Sequence, residues 1–349
     1  MCMGGLLEYS GLSTKIKAMK SKMLSVDDFV NLSEQNNISG IVAYLKKTEC
    51  YGDVLANENE NSIRRHRLEL LIRTSLYKDY DKIYKFSHEQ QKAYLKAYFV
   101  KYIVRIIKKA IRKCYRTGND NFEIGTIDFE IFNKKSGIDA GALFEAENIE
   151  AIIAALDKTP YSNLLKMVYQ KGDASLFDYE TVLDIYFFSH LWKTCKKALD
   201  KKDLAIIQKN YGETIDMLNI IWLYRAKKYY DLSPAGLYSL VIPIHYKIKK
   251  QDMIFLAKTK SKDEFESVIS KLPYVRKIGN FDEVNLEKIY DAHLEKLYTA
   301  GIKKFPYSIA CIESYFYEKE EEIENIIQVI ECVRYSMPKE KITDYIMGT

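Results

Sequence analysis

Apolar residues recur along this chain at helical spacing. Between Lys101 and Arg116, Ile103, Val104, Ile106, Ile107, Ala110, Ile111 and Cys114 fall on one face of a 3.6-residue period, with basic residues on the other. Similar patterns run from Ile206 to Tyr230 and from Ile309 to Tyr335. No convincing run alternates apolar and polar positions with the period of two that marks a half-buried strand. The pattern predicts an all-α chain in which long amphipathic helices alternate with short ones.

The pattern also repeats. One stretch reads Val42-Ala43-Tyr44-Leu45-Lys46-Lys47-Thr48-Glu49-Cys50-Tyr51. A second reads Ile153-Ala154-Ala155-Leu156-Asp157-Lys158-Thr159-Pro160-Tyr161, and a third Val268-Ile269-Ser270-Lys271-Leu272-Pro273-Tyr274. Each is an apolar helix end, a lysine, a short break and a tyrosine; the tyrosines stand 110 and 113 residues apart. Short apolar helices are expected ahead of each, at Phe29 to Leu32, Ala142 to Phe144 and Ile254 to Ala257. Two long helical patterns follow each of Tyr51, Tyr161 and Tyr274. Asp216 precedes Asn219-Ile220-Ile221 at the spacing by which Glu322 precedes Asn325-Ile326-Ile327. Pro234 and Pro338 are expected to stop these last helices, because proline cannot continue the backbone ladder. Self-similarity at a fixed period signals a repeat architecture. The predicted copies are residues 1–120, 121–236 and 237–349.

Composition narrows the class. Fifteen glycines and six prolines in 349 residues are too few breakers for the many turns of sandwiches, barrels or propellers. The net charge of +5 is small for this length and gives no global argument for nucleic-acid binding. No apolar run reaches the 18 or so residues of a membrane-spanning helix, and the first ten residues do not read as a signal peptide. The six cysteines are scattered without a Cys-x-x-Cys pair, which reads as reduced thiols in a cytosolic setting.

Four stretches carry a family resemblance: Tyr9-Ser10-Gly11-Leu12 with the basic helix to Met23-Leu24; Leu45 to Tyr51 with its two counterparts; Ser233-Pro234-Ala235-Gly236 to Ile242-Pro243; and Glu318 to Arg334 with Pro338 to Ile346. Together they resemble the V-type/A-type ATPase central-stalk family, which comprises the C subunits of archaeal and bacterial V-type ATP synthases and the d subunit of eukaryotic V-ATPase. The sequence departs from the pattern in its lysines at 15, 17 and 20, where arginine is common, and in Glu49-Cys50, where the later copies have proline. The resemblance implies three pseudo-symmetric helical repeats forming a funnel-shaped socket. It implies a non-catalytic rotor part that couples the axle subunits to the membrane proteolipid ring during proton or sodium transport. Such a part is peripheral on the cytoplasmic face of the membrane and needs no cofactor, metal, small-molecule substrate or nucleic acid.

Candidate contact residues follow from charge patterning. Lys101, Arg105, Lys108, Arg112 and Arg116, with Lys109 and Lys113, cover about 140° of one helix face. Such a face suits an acidic partner, either axle carboxylates or anionic headgroups, or else is simply solvated. Glu320, Glu321 and Glu324, with Glu318 and Glu322, form an acidic block expected early in the last long helix. There the block would favour the helix dipole or meet basic partner loops. Asp27-Asp28 after Ser25 reads as first-turn capping. The five histidines are isolated, and no phosphate-binding loop, dinucleotide fingerprint, metal motif or local catalytic set is present. The alternative function is a helical-repeat scaffold that binds another protein or RNA through the basic helix. An all-helical enzyme of the prenyl-synthase kind lacks its second Asp-rich motif.

Overall fold

A computed structural model describes residues 3–115, 129–230, 232–271 and 283–342. The described residues are helical throughout, with no strand. A helix α1 (Met3–Lys20) is followed by three short ones, α2 (Val26–Ser33), α3 (Ile38–Leu45) and α4 (Gly52–Leu55), and two long ones, α5 (Arg65–Phe86) and α6 (Glu89–Cys114). Then come α7 (Glu130–Ser136), α8 (Ala140–Glu145), α9 (Ile149–Ala155) and α10 (Pro160–Tyr169), and the long α11 (Leu176–Ala198) and α12 (Lys201–Tyr229). The last set is α13 (Pro234–Ser239), α14 (Lys250–Lys258), α15 (Lys262–Ile269), α16 (Glu283–Lys304) and α17 (Ala310–Arg334). Three times a set of short helices precedes two long ones: α2–α4 before α5 and α6, α7–α10 before α11 and α12, and α13–α15 before α16 and α17.

Local chemistry sets these boundaries. Ser25 and Asp28 form a reciprocal capping box at the start of α2, as Ser175 and Asp178 do for α11. Asp200 receives the N–H groups of Lys202 and Asp203 and so opens α12 directly after α11 ends. Pro160 is the first residue of α10 and Pro234 of α13, the helical position where proline's missing N–H does no harm. Pro234 therefore starts a helix, and α12 has already ended at Tyr229. At the end of α17, Ser336 turns left-handed with φ +52°. The N–H of Met337 reaches Cys332 O and that of Ser336 reaches Val333 O, the Schellman arrangement, and Pro338 follows.

The chain divides into two compact units. One comprises the described parts of residues 1–88, 113–155 and 311–349. In it α5 packs against α1, α4 and α7, and the ring of Phe316 lies 6.3 Å from that of Tyr80. Its core includes Leu32, Ile41, Leu45, Tyr51, Ile72 and Ile83, all fully buried. The other comprises residues 89–112 and 156–310. There α12 packs against α11, α13, α14 and α16, and Leu223, Ile248, Met253, Leu256 and Phe265 belong to one buried cluster.

Candidate functional site

The apolar face predicted for α6 is buried from Ile103 to Ile111, and the basic residues lie off that face. Lys101 and Arg105 are half-buried, their charges lying 5.5 Å and 5.8 Å from the ring centres of Tyr98 and Tyr102. Lys108 and Arg112, one turn apart, meet Asp184 and Glu180, one turn apart on α11. Lys108 Nζ donates to Asp184 Oδ2, and the Arg112 guanidinium donates to both oxygens of Glu180. Burial pushes the Asp184 carboxyl above the usual range even with Lys108 beside it. The hydrogen bonds and charge of Glu180 raise Arg112 further, against some desolvation. Lys113 points elsewhere and donates to Phe144 O at 2.6 Å and Ala146 O at 3.4 Å, at the end of α8. Arg116 lies outside the described residues.

The acidic block sits in the middle of α17 and not in its first turn. Glu318 is the ninth residue of this 25-residue helix, and the dipole's influence fades within one turn, so the helix-dipole explanation does not apply. Contacts within the chain account for several of these acids. Lys20 Nζ donates to Glu318 Oε1 at 2.6 Å and to Ser314 Oγ at 3.0 Å. Arg73 grips both oxygens of Glu324 at 2.8 and 2.9 Å. Glu320 is half-buried and Glu321 exposed.

Sequence reasoning missed a buried polar cluster in the first unit. Lys319 is fully buried and Glu322 is 4 % exposed, and Lys319 Nζ donates to Glu322 Oε1 at 2.5 Å. The Tyr51 hydroxyl donates to Glu322 Oε1 and accepts from Lys319, whose ammonium lies 4.2 Å from the centre of the Tyr51 ring. Burial first, then the charge and hydrogen bond of Glu322, push the Tyr51 hydroxyl well above its ordinary pKa. Close by, Tyr315 donates to Asp79 at 2.6 Å. The repeat marks both Tyr51 and Glu322 in the sequence, and that is the available signal. Their meeting, across 271 residues, has none. Tyr161 is buried against Tyr186, edge to face. Tyr274 lies outside the described residues.

The second unit carries a related arrangement. Asp216 is fully buried in α12 and accepts the backbone N–H groups of Tyr246, Lys247 and Ile248 at 3.2, 2.7 and 3.1 Å. The Asn219 amide both accepts from Ile242 N and donates to Ile242 O. Glu213 takes Lys247 Nζ at 2.5 Å and faces His293 Nε2 at 2.8 Å. Burial alone would raise the Glu213 carboxyl, but these two partners outweigh it and hold the group below the usual range. These contacts position backbone. They present no nucleophile beside a general base, and among the described residues no three His, Cys, Asp or Glu side chains are placed to hold a metal.

Comparison with known proteins agrees with the extent of this architecture. The profile of the ATP synthase (C/AC39) subunit family matches residues 12–345. The chain is similar to the A-type ATP synthase C subunit of Desulfurococcus sp. (strain SY), 25 % identical over 353 aligned positions that cover 96 % of this chain and 90 % of that one. It is similar also to the A-type ATP synthase C subunit of Thermococcus kodakarensis, 23 % identical over 97 % of this chain and 90 % of the relative. The corresponding protein of Thermococcus onnurineus is 24 % identical with the same coverage.

Proposed function

This chain belongs to the ATP synthase (C/AC39) subunit family, and on that premise we propose that it is a non-catalytic central-stalk subunit of a V/A-type ATPase or ATP synthase. It couples the axle subunits to the membrane proteolipid ring and transmits rotation without bond chemistry of its own. The observation that carries this reading is the family match across nearly the whole chain. The architecture supports it, because torque transmission needs a stiff body and closely packed long helices resist deformation. A ring of many identical subunits cannot by itself grip an asymmetric axle, and an intermediate piece resolves that mismatch of symmetry.

In this reading the copies at 1–120, 121–236 and 237–349 build a funnel-shaped socket, supported by the helix order that recurs three times. The subunit is peripheral and sits on the cytoplasmic face of the membrane. Among the described residues no helix is long and apolar enough to cross a membrane. Lys101, Arg105, Lys108, Arg112, Arg116, Glu320, Glu321 and Glu324 are the partner-facing residues proposed, on the charge patterning of the two helices. Of these, Lys108, Arg112 and Glu324 also pair within the chain, with Asp184, Glu180 and Arg73. That use of the basic stripe weakens the alternative of an RNA-binding scaffold. Purification of the tagged chain in mild detergent is expected to bring down both the axle subunits and the proteolipid ring; recovery of neither overturns the proposal.

A further inference from the structure

One end of the second unit gathers lysines. The turn between α11 and α12 reads Lys196-Lys197-Ala198-Leu199-Asp200-Lys201-Lys202, and its four lysines are exposed. The turn between α16 and α17 includes Lys303-Lys304-Phe305-Pro306-Tyr307, all exposed. The fold ties the two turns together. Asp203, buried in the first turn of α12, accepts the N–H of Ile309 at 3.0 Å, and Ile309 immediately precedes α17. Tyr307 is two residues from that bond and Phe305 four, so the chain keeps them within about 7 and 14 Å of Ile309. The acids beside these lysines are engaged with backbone: Asp200 caps α12 and Asp203 holds Ile309. Among the described residues none of the six lysines pairs with an acid. Lys196 lies over the ring of Trp192 at 5.3 Å and Lys304 over that of Phe305 at 5.2 Å.

Helix stability explains only part of this arrangement. Lys196, Lys197, Lys303 and Lys304 stand in the last turns of α11 and α16, where the carbonyl end of the helix dipole favours cations. Lys201 and Lys202 stand in the first turn of α12, where the same dipole disfavours them. Burial does not account for the rings either, since Phe305 and Tyr307 are 43 % and 41 % exposed. Unpaired charge beside exposed aromatic surface fits a contact with something outside the chain. Every cation here is a lysine. Carboxylates on a protein partner are best gripped by the planar fork of arginine. Lysines on long stems suit the diffuse charge of an anionic bilayer, where phenylalanine and tyrosine rings settle at the headgroup level.

We propose that the lysines of these two turns, with Phe305 and Tyr307, form a docking surface for an anionic lipid bilayer. Each lysine held at such a surface strengthens binding about fivefold, and the effect fades within about 8 Å at physiological salt. The two rings add apolar area that the headgroup region takes up. In the assembled complex this contact turns the lysine-rich end of the unit toward the membrane. That orientation rests on the coupling role above, and the lipid affinity does not.

Co-sedimentation of the isolated full-length chain with vesicles tests it without any protein partner. At low salt the chain is expected to bind a one-to-one mixture of phosphatidylcholine and phosphatidylglycerol at least tenfold more tightly than phosphatidylcholine alone. Lys201→Glu with Lys202→Glu is expected to weaken that binding at least tenfold. Glutamate in a first turn suits the dipole of α12, so this variant keeps its fold. Phe305→Ser is expected to weaken binding about threefold, at low and high salt alike, because its share is apolar. Lys166→Glu with Lys171→Glu makes the same change in net charge on exposed lysines at the end of α10 and just past it, ahead of α11. This pair is expected to bind within about twofold of the unmodified chain. Equal binding to both kinds of vesicle overturns the proposal, as does an equal loss in the two charge-reversed pairs. A Lys201 and Lys202 variant that binds vesicles normally but no longer recovers axle subunits or proteolipid ring marks a protein contact, and that also overturns it. Vesicle binding that follows the expected pattern, in a chain that recovers neither partner, counts against the coupling role and leaves the bilayer contact standing.

Discussion

Gly212 lies under the ring of Tyr246, and a methyl group built on it would come within 2.4 Å of Tyr246 Cγ. The contact is at the root of the side chain, so the ring cannot swing clear without moving the backbone that Asp216 holds. Gly212→Ala is expected to destabilise the chain by about 1–3 kcal/mol despite alanine's better helix propensity, read as a lower midpoint in urea unfolding. Tyr51 sets a second expectation at this scale. Its hydroxyl is held well above the ordinary 10.0, and burial raises Tyr315 and Tyr80 in the same direction. A folded-state pKa above the unfolded one contributes stability that is complete below about pH 10 and lost as pH rises beyond it. Urea midpoints followed from pH 8 to pH 11 are expected to fall at the alkaline end, and Tyr51→Phe to flatten that fall.

Among the elements, the pairing of α6 with α11 shows what a stripe of charge can do inside a chain. Lys108 and Asp184 have side chains 15 % and 27 % exposed, so solvent screens the pair only in part. Removing the lysine leaves a desolvated carboxylate that burial already disfavours. Lys108→Met is expected to cost about 2 kcal/mol, below the range for a fully buried pair. Adding Asp184→Leu is expected to recover most of that loss, because the stranded charge is gone. A double-mutant cycle in urea measures both. The helices themselves were legible from periodicity and caps: α5, α6, α11, α12, α16 and α17 fall where the apolar spacing puts them, and α2 opens at Ser25. The partners of the charged faces were not. A basic stripe looks the same in sequence whether it faces water, another protein or an acidic stripe 70 residues further on.

For the molecule as a whole, the expectation concerns assembly. Lys101 and Arg105 sit on the polar side of α6, next to the stretch whose charges serve α11. Replacing both with glutamate is expected to reduce recovery of axle subunits or proteolipid ring at least several-fold in detergent pull-downs. The melting temperature should change by no more than about 4 °C, the shift expected from 1 kcal/mol or less in a chain of this size. A large drop in melting temperature without loss of partners would mark the two residues as structural.

The sequence by itself determined the helical class, the places of the long helices, and the family. Each of these depends on local spacing or on a pattern carried along the chain, and both survive in one dimension. The tertiary structure alone decided which charges are used inside the chain. Asp184 claims Lys108, Arg73 claims Glu324, and Tyr51 meets Lys319 and Glu322 across some 270 residues. Whether a charge ends in water or in a buried pair is set by what the fold brings within about 4 Å of it, and residue spacing along a helix carries no information about that.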